Sequence, residues 1–198
     1  MRNAIFGMIV GLGIGVAMAA EVVNKFEIID ELNAIGNKAC RGDTDALAAL
    51  DKIAQGTDAR AGHALMNLAY LVEPFSRCAA GGFGYDPEKW QAYLERSVLT
   101  DWPFAKGYYG EILLKGMHDI PADPPRGISL LSEAAIGGED YAAEVLVIEY
   151  YDAKFAGTKD LNKALEWAEL ALSREADFGL PRETLEYYKN KILKELGG

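Results

Sequence analysis

The side chains able to do acid–base or nucleophilic chemistry are few and badly spaced for it. The two histidines, His63 and His118, stand 55 residues apart, and neither has a serine, cysteine or acid at a spacing that would build a proton relay. The acids Glu144, Glu149 and Asp152 fall within helical patterns at mixed spacings, as expected of a solvated face. Ser129, Ser132 and Ser173 also lie in helical patterns, with no lysine three residues on and no nucleophile elbow. Gly81-Gly82-Phe83-Gly84 has the glycines of a phosphate loop but no preceding strand and no following Lys-Ser/Thr. Two cysteines, Cys40 and Cys78, are too few for a four-thiolate zinc site and have no histidine pair beside them. The expectation is a chain without catalytic residues, cofactor or metal.

Composition narrows the remaining classes. A chain of 198 residues that is half apolar and 25% charged can bury a real core and supports one domain or a short array of small units. The formal charge of −10 disfavours nucleic acid and anionic lipid, both of which need a cationic footprint.

Residues 1–19 read as a signal peptide. Arg2 is followed by an uncharged apolar run from Ala4, ending in Ala17-Met18-Ala19 with small residues where a signal peptidase needs them. The run is short and glycine-containing for a membrane span. Cleavage after Ala19, export to the periplasm and no membrane insertion afterwards are expected, with the extracellular medium as second choice.

The elements that position the side chains recur. Asp123 and Asp160 stand 37 residues apart, and the same offset links Leu130 to Trp167, Leu131 to Ala168, Ala134 to Ala171 and Ala105 to Ala142. One step back gives Asp86, and a four-residue insertion then aligns Ala105 with Ala64 and identifies Asp45 as the first copy. Asp45, Asp86, Asp123 and Asp160 are expected N-caps of the second helix of each unit, since Pro87 and Pro124 suit the first helical position. The first helix of a unit is rich in small residues, as in Ala105-Lys106-Gly107-Tyr108-Tyr109-Gly110, and Gly116 suits a left-handed stop. The units run at about 22–57, 58–102, 103–140 and 141–179, with a capping helix at 181–196 opened by Pro181 and carrying Leu185, Tyr188, Ile192 and Leu196 inward. A leading helix over 22–38 presents Val22, Phe26, Ile29 and Leu32. In the last unit Leu161, Leu165, Ala168 and Leu172 form the expected inward stripe.

Ala105…Gly110…Gly116, then Lys163-Ala164…Trp167 and Ala134-Ala135…Gly138…Ala142, resemble the Sel-one-like repeat, a relative of the tetratricopeptide repeat (TPR). Gly127 departs from that pattern where the next unit has Ala164. The resemblance implies an all-α fold, a short right-handed solenoid of TPR-like helix pairs whose first helices line the concave side, used to bind another protein. It also implies that Tyr109 is a core position and Tyr108 faces outward, with Tyr150 and Tyr151 split in the same way. Exposed tyrosines suit an interface, so Tyr108, Tyr151 and Trp102, with Glu111 and Glu144, are the candidate partner contacts, and the acidic surface predicts a partner with a basic surface. Phe83-Gly84-Tyr85 is a further aromatic turn.

Family members include envelope adaptors and immunity proteins that neutralise periplasmic toxins such as phospholipase effectors. The absence of an extra anchoring module in this sequence leans the expectation to the second. Members linked to β-lactam binding or cleavage carry a cysteine pair in every unit, and this chain has one pair in total. Cys40 and Cys78 fall in equivalent loops of adjacent units, and the insertion near Cys78 supplies reach between them. A Cys40–Cys78 disulfide is therefore expected, the alternative being two buried free thiols.

Overall fold

The computed structural model describes residues 27–100, 102–155, 157, 159–174 and 182–197. Residues 1–19, read from the sequence as a signal peptide, and Val22, Phe26 and Pro181 lie outside these. Among the described residues the chain is all-α: a helix over 27–40 (α1), then α2 (Thr44–Ile53), α3 (Ala59–Val72), α4 (Pro87–Ser97), α5 (Pro103–Lys115), α6 (Pro124–Ile136), α7 (Asp140–Asp152), α8 (Leu161–Leu172) and α9 (Glu183–Gly197). A single 3-10 turn, Cys78–Gly81, interrupts the loop between α3 and α4.

Local chemistry starts the helices. Asp86, Asp123 and Asp160 each accept from the backbone N–H three residues on, Lys89, Arg126 and Lys163, so each satisfies one of the free donors of a first turn. In α2 the cap is Asp43, which accepts from the Asp45 and Ala46 amides. Asp45 is a correction to the sequence reading: it is the second residue of the helix, inside its first turn, because the left-handed turn at Gly42 (φ +92°) delivers the chain to Asp43 first. Asp58 and Glu139 cap α3 and α7 without having been singled out in the sequence.

Consecutive helices pack as neighbours, most extensively α5 with α6, then α3 with α4 and α7 with α8. Alternate helices also touch, α3 with α5, α5 with α7 and α7 with α9. At the start of the series α1 joins α3 through the Glu31–Arg60 ion pair and the Asn33–His63 hydrogen bond. The core divides in two along this series. The first half gathers Leu32, Leu50, Leu65, Leu68, Trp90, Leu94 and Tyr109, and the second gathers Leu114, Leu131, Leu146, Ala164, Ala168 and Ile192. α5 contributes to both, so it is buried on two sides and has no clean polar face.

The second helices are different, with one inward stripe each. In α8 that stripe is Ala164, Ala168 and Ala171, while Leu161, Leu165 and Leu172 are half-buried at its edges, which shifts the expected stripe by one position. Similarly, Ile28 rather than Ile29 is the buried residue near the start of α1, and Leu196 of α9 is exposed while Leu185 and Ile192 are buried.

Two arginines lock the carboxyl ends of the second helices together. Arg96 of α4 donates to the Ala54 carbonyl at the end of α2, and Arg174, just past α8, donates to the Ala135 carbonyl of α6. Each gives a helix-terminal carbonyl a charged donor where the dipole is negative. Cys40, the last residue of α1, and Cys78 are joined as a disulfide with Cα atoms 4.7 Å apart. The approach is possible because the 3-10 turn bends back onto the α1–α2 connection, where a Cβ on Gly81 would stand 2.4 Å from the Cys40 carbonyl oxygen.

Candidate functional site

Side chains from α3, α5, α7 and α9 form one face, built at helical spacing. Tyr70 is in the last turn of α3 and Glu73 is the extended residue just past its end; on α5, Phe104, Tyr108, Glu111 and Lys115 recur at four-, three- and four-residue steps; on α7, Tyr141 precedes Glu144. The rings of Phe104 and Tyr108 are stacked, 6.4 Å between centroids and 8° from parallel. The Tyr108 ring is half-buried, and its hydroxyl lies within electrostatic reach of both Glu73 and Glu111. Tyr141 on α7 donates to Glu111 at 2.7 Å and also feels Glu144. Glu144 accepts in turn from the Thr184 hydroxyl on α9. Acid and tyrosine thus alternate across three helices: Glu73, Tyr108, Glu111, Tyr141, Glu144.

The electrostatics follow from partial burial. Burial first, and the neighbouring carboxylates second, push the Tyr108 phenol up to about 12. Tyr141 is raised for the same reasons, with its hydrogen bond to Glu111 ranking second. Burial raises the carboxyls of Glu73 and Glu144 above their ordinary value, opposed at Glu144 by the Thr184 hydroxyl. Lys115 pairs with Glu111 within α5, whereas Glu73 and Glu144 form no ion pair among the described residues. The face is therefore acidic, ring-rich and short of cations.

Of the residues expected to contact a partner, Tyr108, Glu111 and Glu144 are brought together here. Trp102 and Tyr151 are corrections. Trp102 stands at the N-cap position of α5 with only 2% of its surface exposed, its ring edge-on to His63 at 5.2 Å. Tyr151 is 6% exposed because α9 covers it: its hydroxyl donates to Glu195, Tyr188 packs edge-on, and Lys159 and Lys191 lie over its ring. Glu149, read in the sequence as a solvated acid, is buried and accepts from the Phe155 amide where α7 ends. Glu73, Phe104 and Tyr141 belong to the face and were missed. Their signal was the step of three or four from Tyr70, Tyr108 and Glu144, visible only once the helix ends are known.

The remaining candidates have structural roles. His63 is buried, shares a hydrogen bond of 2.9 Å with Asn33, and is lowered to about 4 by burial. His118 and Asp119 adopt left-handed backbone (φ 56° and 65°), turning the chain between α5 and α6, with the His118 ring edge-on to Phe75 and Trp90. Gly82, Phe83, Gly84, Tyr85 and Asp86 line an open cleft of about 440 Å³ with Val72 and the first residues of α4. Among the described residues no three histidine, cysteine or acidic side chains converge as metal ligands, and no helix is long and apolar enough to cross a membrane.

Comparison with known proteins gives no match to any family model, any curated protein or any solved structure.

Proposed function

We propose that this chain is an exported, non-catalytic solenoid of Sel-one-like helix pairs that binds another protein through the face of its first helices, acting in the periplasm as a stoichiometric inhibitor of the immunity-protein kind. The observation that carries the reading is the alternation Glu73, Tyr108, Glu111, Tyr141, Glu144 across α3, α5 and α7. Tyrosine offers large contact area at small entropic cost, and the intervening carboxylates select a basic partner and speed its approach. Contacts between alternate helices and the arginine clamps between second helices support a stacked array, in which such a face is continuous.

The test is photo-crosslinking in native envelope extract, using the chain from Ala20 with its disulfide intact. A photoreactive residue replaces exposed Phe104 in one sample and exposed Gln91 on α4 in another. A single stoichiometric partner trapped from position 104 but not from 91 is the expected result, and inhibition of that partner's activity separates the inhibitor from an envelope adaptor. A partner trapped only from position 91, or none from either, overturns the reading.

A further inference from the structure

The outer side of α9 differs from what a capping helix is expected to show. Such a helix covers the last apolar layer and turns a polar side to water. α8 has a polar outer side of that kind, exposing Asn162, Lys163, Glu166 and Glu169 and no large apolar residue. α9 buries Leu185 and Ile192 inward, yet its outer side leaves Tyr187 59% and Leu193 45% exposed. Glu186, Asn190 and Lys194 are exposed on the same side, since steps of three and four from Asn190 reach all four of its neighbours there. The other charges of this helix are engaged: Lys189 pairs with Glu169, Glu195 pairs with Lys159, and Lys191 lies over the Tyr151 ring. Glu186 and Lys194 have no ion pair among the described residues.

We infer that this side of α9 is a dimerisation surface, occupied by α9 of a second copy of the chain packed antiparallel about a two-fold axis at Asn190. The order of the residues carries the inference. Tyr187 and Leu193 stand three residues before and after Asn190, and Glu186 and Lys194 stand four before and after it. With Asn190 at the axis, Glu186 and Tyr187 of one copy come level with Lys194 and Leu193 of the second copy. Two-fold symmetry repeats that layer on the other side of the axis. Each layer joins an acid to a lysine and a ring to an aliphatic side chain, with the same lysine in reach of the ring. A parallel pair would set Glu186 against Glu186 and Lys194 against Lys194, so the charges select the antiparallel arrangement. The Asn190 amide has both donors and an acceptor and can bond to its own copy at the axis, where a single central asparagine fixes register. One helix from each copy makes a small interface, which corresponds to a dissociation constant on the order of 10–100 µM.

Sedimentation velocity of the chain from Ala20 with its disulfide intact, over about 1–300 µM, tests this. A reversible monomer–dimer equilibrium is the expected result. Glu186→Lys and Lys194→Glu should each weaken the dimer by about tenfold or more, and the two together should restore it to within about threefold of the natural chain. Both sites are exposed, so circular dichroism should show every variant folded. Net charge alone makes a different prediction: in a chain of charge −10, Glu186→Lys would relieve repulsion and strengthen association, while Lys194→Glu would weaken it. Leu193→Ala should also weaken the dimer, and Phe104→Ala on α5 should leave it unchanged. A monomer throughout the range, single charge variants of opposite sign, a double variant as weak as the singles, or a dimer indifferent to every α9 variant overturns the inference. The crosslinking experiment at position 104 concerns a different face, so the protein-binding reading stands or falls separately.

Discussion

Gly127 on α6 meets Gly110 on α5 so closely that a Cβ on Gly127 would stand 2.7 Å from the Gly110 carbonyl oxygen and 2.6 Å from the Leu114 amide nitrogen. The approach is reciprocal, since a Cβ on Gly110 would stand 3.0 Å from the Gly127 carbonyl oxygen. Both neighbours are backbone, which cannot rotate away, and the pair lies in the most extensively packed helix pair of the fold. The position where the repeat pattern is broken is therefore one where alanine does not fit.

Gly127→Ala is expected to destabilise the protein by about 2 kcal/mol or more. The helix propensity gained, about 1 kcal/mol, is outweighed by the separation it forces on α5 and α6. Urea unfolding followed by far-UV circular dichroism checks this; an unchanged or raised midpoint would refute the contact.

The disulfide closes a loop with a sequence separation of 38 residues. Limiting the unfolded chain by a loop of that size is worth about 4 kcal/mol in the chain-entropy account. Replacing Cys40 and Cys78 by serine should lower stability by about 3–4 kcal/mol, and adding reductant to the natural chain should lower its thermal midpoint while intact mass rises by two hydrogens. A midpoint indifferent to reductant would contradict the bond.

His63 makes stability depend on pH with a definite sign. Its value is about 4 in the fold and about 6.5 in the unfolded chain. Between those values the unfolded chain binds a proton that the folded chain does not, so stability falls as pH drops from about 6.5 towards 4, by up to about 3 kcal/mol. Protonation would compete with burial beside Trp102 and with the Asn33 contact that ties α1 to α3. His63→Gln should flatten this part of the pH–stability curve, read from urea midpoints at neutral pH and near pH 4.5; parallel curves for the two proteins would exclude His63 as the cause.

Glu95 serves two donors from different helices. The fully buried Tyr109 donates its hydroxyl at 2.5 Å, and the Arg126 guanidinium donates at 3.0 and 2.5 Å. Arg126 is 43% exposed, so Arg126→Ala should cost under about 1 kcal/mol. Glu95→Ala should cost about 2 kcal/mol, because it takes the carboxylate acceptor from a buried phenol and leaves it only the Gln91 side chain, and adding Tyr109→Phe should recover part of the loss. A strictly additive double variant would show that the phenol–carboxylate contact contributes nothing.

The extent to which the sequence could be read varies with how local the cause is. The Asp caps at 86, 123 and 160 were legible because an acid followed by proline or a helical pattern is a contact within one turn. Asp45 was misplaced because Asp43-Thr44-Asp45 offers two acids two residues apart, and only the turn at Gly42 decides between them. Trp102 was read as surface because it stands at a turn between helices, and Tyr151 because one of two adjacent tyrosines should face out; Trp102 instead packs edge-on to His63. α5 and α7 are buried on two sides, and α9 folds back over Tyr151, so that periodicity rule fails there.

By itself the sequence determined the helical content, the starts of three second helices and the charge sign, since each depends on neighbours a few residues apart or on composition alone. It also brought Cys40 and Cys78 to equivalent places. Only the tertiary structure decided which tyrosines remain exposed, that Gly127 must be glycine, and that Glu73, Glu111 and Glu144 share a face. Those properties come from contacts between different helices, 13 to 17 residues apart at Gly127 and thirty or more across the shared face, and packing distances between helices are set by all the side chains in the interface at once.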